Sequence, residues 1–136
     1  MGRLYGIAAD AVVIFHFCYV TFTVGGEVLI LLGCLFRWRW VRNLTFRIIH
    51  LVAMAVVALE ALIGVLCPLT DWEYRLRLLA GQDIEEEIPF MARLVRQIIF
   101  YDFPAWVFTV TYILFTLLVV ATLLFVPPRR KAKPDN

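Results

Sequence analysis

The sequence predicts an all-α integral membrane protein: three transmembrane helices, with two short amphipathic interfacial helices between the second and third. Three observations carry that prediction. Of 136 residues, 62% are hydrophobic and only 18% are charged, whereas a soluble domain has about 45–50% apolar and about 25% charged residues. The apolar residues gather into three runs, each long enough for the roughly 20 helical residues that cross about 30 Å of hydrocarbon. The stretches between them carry helix-stopping and helix-starting residues. A chain this small has no interior large enough to hide so much apolar surface from water. The composition excludes disorder, collagen and a disulfide-stapled secreted domain. A net charge of +2, spread along the chain, excludes nucleic acid as a partner and leaves the lipid bilayer as the first one.

The first run, about 4–36, is over-long for a span and must tilt, bend or emerge at one end. Gly25-Gly26, beside Glu27, is its expected soft point. Its length, its single Arg3 and the lack of a small-x-small cleavage site mark it as a retained span. The second run, about 46–66, is stopped by Pro68. The third, about 104–126, opens on Pro104 and closes at Pro127-Pro128. Residues 1–126 thus read as one helical membrane domain, followed by a basic tail, 127–136.

Three spans place the loop after the first and the tail after the third on one side. That side holds Arg37, Arg39, Arg42, Arg47, Arg129, Arg130, Lys131 and Lys133, eight basic residues against five on the other. The positive-inside rule then puts the N-terminus outside and the C-terminus in the cytoplasm. Trp38 and Trp40 form an aromatic belt at the inner interface. The tail also suits attraction to anionic lipids, worth about 1 kcal/mol per basic residue near the surface.

The outer segment 68–103 reads as two helices. Thr70-x-x-Glu73 is a capping box after Pro68, with Glu73 also placed to pair with Arg77. Trp72, Leu76, Leu79 and Ala80 share a face, and Gly81 is the terminator. A second helix starts near Pro89, after the acidic run Glu85 to Glu87. Phe90, Met91, Leu94, Val95, Ile98 and Ile99 follow a period of about 3.6, while Arg93, Arg96 and Gln97 face away. Both helices are expected to lie in the interface or cap the bundle.

Cys67-Pro68-Leu69-Thr70, followed by Glu73, Leu76-Arg77 and Gly81, resembles the hallmark of a bacterial membrane-protein family, domain of unknown function 2784. The likeness extends to His16, Gly25-Gly26 and His50. It implies a small multi-pass protein of the bacterial inner membrane, and no particular reaction.

Ionisable groups at membrane depth are the places to look for chemistry, since each costs about 2.5–3.5 kcal/mol at the bilayer centre. They are His16 and Glu27 in the first span, His50 and Glu60 in the second, and Asp10 nearer the outer end. His16 and Glu27 stand eleven residues apart, which returns them to nearly one helical face. Gly26 and Gly33 offer a close-packing strip on the same helix, and Ala53, Val57, Ala61 and Gly64 a comparable one on the second. The bland reading is that these polar groups bond across helices and fix register. The sharper one is a membrane-embedded site for a proton, a cation or a lipid headgroup, built around His16 and Glu27 with Glu60. Haem is the least favoured ligand, because His16 lies roughly 18 Å deep while His50 lies about one turn from the opposite edge.

Cys18, Cys34 and Cys67 show no metal spacing, and Cys67 has no activating base beside it. There is no phosphate-binding glycine loop, no H-E-x-x-H and no G-x-S-x-G. The sequence therefore indicates no metal, no cofactor and no catalytic constellation. The reading it favours is a non-enzymatic accessory or scaffold subunit, partnered by another membrane protein or by its own copies.

Overall fold

A computed structural model describes residues 1–83, 88 and 90–129. The chain forms α1 (Gly2–Leu35), a 3-10 turn (Trp40–Arg42), α2 (Leu44–Ile63), α3 (Pro68–Leu79), α4 (Phe90–Ile99) and α5 (Ala105–Phe125). Among the described residues there is no strand; an isolated backbone bridge joins Asn43 and Arg129. Helices α1, α2 and α5 are long and apolar enough to cross a membrane. The protein is an all-α membrane protein with two short helices between its second and third spans. Glu85 to Glu87, Pro89, Arg130, Lys131 and Lys133 lie outside the described residues.

Helix α1 has 34 residues, about 51 Å at 1.5 Å each and some 20 Å more than the hydrocarbon core requires. It continues as unbroken helix through Gly25-Gly26. Gly26 serves packing. A Cβ there would stand 2.8 Å from His50 Cδ2 and 3.0 Å from His50 Nε2, whereas one on Gly25 would meet nothing. Gly33 likewise takes Val41, whose Cγ2 would lie 2.8 Å from an added Cβ. The glycine strip read from the sequence is thus where α2 and the 3-10 turn close on α1. Ala9, His16, Thr23 and Ile30 are buried at seven-residue intervals along the same helix, the spacing of a helix–helix seam.

Helix α2 begins at Leu44, capped by Asn43 Oδ1, which accepts from the Thr45 and Phe46 amides at 2.9 and 3.4 Å. It ends at Ile63, not Leu66. Gly64 adopts φ +75° and donates its N–H to the Glu60 carbonyl at 3.0 Å, so the chain turns before Pro68 is reached. Gly64 is therefore an exposed cap and not part of a packing strip. Pro68 starts α3 as its first residue, where a missing N–H costs nothing.

Because α3 already begins at Pro68, the Thr70–Glu73 capping box does not form. Thr70 lies inside the helix, its buried Oγ1 without a partner among the described residues. Gly81, at φ +74°, closes α3 as predicted: the Gln82 amide reaches the Arg77 carbonyl at 3.0 Å and the Gly81 amide reaches that of Leu78 at 2.9 Å. Helix α3 runs back along the first half of α1. Arg77 meets Asp10, and Ala80 lies against Gly2. It turns Thr70 and Glu73 inward and leaves Trp72 and Leu79 exposed.

Helix α5 packs along α2 in the opposite direction. Its end is tied to the first loop: Arg42 Nε donates to the Pro127 carbonyl at 3.2 Å, and the Arg129 amide to the Arg42 carbonyl at 2.9 Å. Arg37, Arg39, Arg42, Arg47 and Arg129 therefore share one end of the bundle, as three spans require.

Candidate functional site

The most deeply buried polar cluster lies where α1, α2 and α5 meet. His50 and Glu27 are each only 1% exposed and Arg47 is 3% exposed. Gly26 lets the His50 ring lie against α1, and there His50 Nε2 meets the Thr23 carbonyl at 2.7 Å. A carbonyl can only accept, so Nε2 carries the hydrogen. Phe22 and Phe46 pack against the ring. The other nitrogen, Nδ1, then faces Glu27 Oε2 at 3.9 Å, too far for a hydrogen bond. Among the described residues neither Glu27 oxygen has a hydrogen-bond partner, nor has Arg47 Nε. Arg47 spends Nη2 on the Val126 carbonyl at 3.3 Å and lies close enough to Glu27 for their charges to interact. The site thus holds a fixed cation, a carboxylate with open lone pairs, and an imidazole whose free nitrogen points at that carboxylate.

A second cluster surrounds Glu73 on α3, which is 3% exposed. Arg77 Nε donates to its Oε1 at 2.9 Å, and Arg93 of α4 donates to both oxygens. Arg77 also reaches Asp10 at 3.1 Å and Gln82 at 2.9 Å. Burial alone would push the Glu73 carboxyl up, but the hydrogen bonds and charges of Arg93 and Arg77 outweigh it and hold the carboxyl below its usual range. Burial likewise pulls on Arg77, and its bonds to Glu73 and Asp10 more than restore it, leaving its pKa raised. His16 lies beside this network, stacked on Phe90 with ring centroids 4.2 Å apart. Its charge environment is set by Glu73 and Arg93. Arg93 therefore turns inward, against the expectation that it faces away: a buried carboxylate demands a second cation more strongly than α4 demands a clean apolar face.

Glu60 sits apart from both clusters, against the Cys67 thiol and near Tyr19, whose hydroxyl donates to the Ala53 carbonyl at 2.6 Å. Burial is the main reason the Cys67 thiol is pushed up from its ordinary value, which keeps it protonated and poorly nucleophilic. The structure thus distributes His16, Glu27 and Glu60 over three places, and gives Glu27 the partner His50. Along α1, His16 lies seven to ten residues from the Thr23–Gly26 stretch that receives His50, about 10–15 Å. The two imidazoles are not arranged as a pair of axial ligands. Arg47 was legible only as one of the basic residues near the first loop; its place one turn inside α2, three residues before His50, is the signal that brings it to the site. Among the described residues no three His, Cys, Asp or Glu side chains converge on a metal-sized site.

The model of the family described as "Protein of Unknown function (DUF2784)" matches residues 6–128, which takes in nearly all of α1 and the whole of α2 to α5. The chain belongs to that family. The family resemblance carried by the motif from Cys67 to Gly81 is therefore correct. No curated protein and no solved structure matches the chain.

Proposed function

We propose that this is a bacterial inner-membrane protein whose working centre is a buried proton-binding pair, Glu27 and His50, beside the fixed charge of Arg47. The observation that supports it most is the open carboxylate: both Glu27 oxygens are withdrawn from water with no hydrogen-bond partner among the described residues. A pair kept only to fix helix register is expected to be satisfied, because each unpaired buried polar group costs about 1–3 kcal/mol. With Arg47 cationic, Glu27 anionic and His50 neutral, the cluster carries no net charge. A further proton has two landing places, His50 Nδ1 and a Glu27 oxygen, which face each other at 3.9 Å. Nε2, held by the Thr23 carbonyl, keeps the ring in place while Nδ1 gains and loses its proton.

The test is complementation of a deletion strain. Glu27→Gln keeps the shape and removes the titrating group, and His50→Gln keeps a donor near the Thr23 carbonyl while removing Nδ1. Both variants are expected to fold, to reach normal abundance and to lose at least tenfold in activity. Full activity in both would discard the site.

The proposed orientation is N-terminus outside and C-terminus cytoplasmic, from the basic end shared by the first loop and the tail. A cytoplasm-active reporter fused at Asn136 is expected to be active, and a silent one reverses the orientation. A second reading, an accessory subunit, is favoured by α5, which packs chiefly along α2 and leaves most of its length uncovered. Recovery of the protein alone and monomeric from mild detergent counts against it.

A further inference from the structure

The end of the bundle that gathers the arginines is hollow. A cavity of about 1140 Å³ lies between the C-terminal end of α1, the 3-10 turn, the start of α2 and the end of α5. Arg37, Arg39, Arg42 and Arg129 line it, and none of the described residues lining it is acidic. Arg42 is partly occupied, its Nε on the Pro127 carbonyl. Arg37, Arg39 and Arg129 make no ion pair with an acid among the described residues. Arg37, Arg39 and Arg129 are exposed to the same space, and like charges gathered there with no acid between them attract an anion. Arginine forks match the oxygens of phosphate, and they give up water more readily than lysine does.

The backbone holds this end in place. The Trp38 amide bonds the Gly33 carbonyl at 2.8 Å and the Arg37 amide bonds that of Cys34 at 3.4 Å, so α1 ends in a Schellman turn. Its left-handed position, φ +58°, is filled by Arg37 where glycine is the easy choice. The walls beyond the arginines are mostly apolar, with Asn43 and Thr45 among them. Leu44, Phe125 and Val126 line the same cavity, and Trp38 stacks on Trp40 at 6.3 Å between ring centroids. Charge at the rim with apolar walls suits an amphipathic anion, and basic pockets between membrane helices take phospholipid headgroups in this way.

We propose that this cavity binds a phosphate group carried on a lipid, its oxygens on Arg37, Arg39 and Arg129 and its proximal acyl carbons along Phe125 and Leu44. The full-length protein in neutral detergent is to be titrated with phosphatidylglycerol, with diacylglycerol, which lacks the phosphate, and with soluble glycerol phosphate. Binding is read by native mass spectrometry and by the shift in melting temperature. Phosphatidylglycerol is expected to bind and stabilise, and the other two to bind at least tenfold more weakly. Arg37→Gln with Arg129→Gln is expected to lose at least tenfold in affinity for it. Arg3→Gln with Arg75→Gln, which removes the same charge at the opposite end, is expected to leave it unchanged. Arg37→Gly guards against a folding defect: it relieves the left-handed backbone, so this variant is expected to melt no lower while binding more weakly. Equal loss in both double variants, or unchanged affinity in Arg37→Gly and in the Arg37/Arg129 variant, overturns the site. Glycerol phosphate binding as tightly as the lipid overturns the lipid as its source.

Discussion

Glu27 and Glu73 are almost equally withdrawn from water, at 1% and 3% exposure, yet their surroundings treat them in opposite ways. Glu73 is saturated by Arg77 and Arg93, and Glu27 is left open. The saturated carboxylate has a stability signature. Its folded-state pKa lies below the ordinary value near 4.5, so its contribution is full above that value and fades as pH falls through the lower folded-state value. The melting temperature is therefore expected to hold from neutral pH to about 5 and to drop below about 4, with the part due to Glu73 absent in Glu73→Gln. That variant is also expected to lose about 2–3 kcal/mol at neutral pH, less than a fully dry pair loses, because both guanidiniums keep some water. A melting temperature at neutral pH equal to the parent's would show that the network contributes nothing. One half of this network was legible in the sequence, since Glu73 and Arg77 stand four apart on a helix. The other half was not. Arg93 lies twenty residues away, and its own helix periodicity assigned it to the outside.

At the scale of elements, the length and hydropathy of the runs located the spans to within two or three residues, because both follow from composition alone. The ends were set by local geometry that competes with proline. Gly64 turned the chain before Pro68 could, and Pro68 then became a helix start. Helix α3 leaves Trp72 and Leu79 exposed and buries Thr70 and Glu73, because its inner face is organised around the Glu73 ion pairs and not around apolar packing. The eleven-residue spacing of His16 and Glu27 correctly put both on the buried side of α1, but one face of a 34-residue helix meets different neighbours at different heights. Packing at one of those heights can be tested directly. Gly26→Ala pushes a methyl to 2.8 Å from the His50 ring, which the Thr23 carbonyl holds in place. It is expected to cost about 1–3 kcal/mol. Gly25→Ala meets nothing and is expected to be neutral or to gain a few tenths up to about 1 kcal/mol. Equal melting temperatures for the two variants would remove the close contact between α1 and α2.

For the whole molecule, α1 is the common support: α3 lies along its N-terminal half, and α2 joins it nearer the C-terminal end and carries α5. Two polar layers result, one around Glu73 toward the N-terminal end of α1 and one around Glu27 toward the basic end, with the arginine-lined cavity beyond. Pairings between residues twenty or more positions apart, such as His50 with Thr23 or Arg47 with Val126, are set by how the helices pack, so no single-chain periodicity announces them. The claim that most depends on this assembly is that Glu27 and His50 share an exchangeable proton. Infrared difference spectroscopy of the protein in lipid discs, compared between acidified and alkaline samples, measures it most directly through the C=O stretch of a protonated carboxyl. A carboxyl band is expected to grow on acidification, to vanish in Glu27→Gln and to change in His50→Gln. A band unchanged in Glu27→Gln, or no pH-dependent carboxyl band at all, would contradict it.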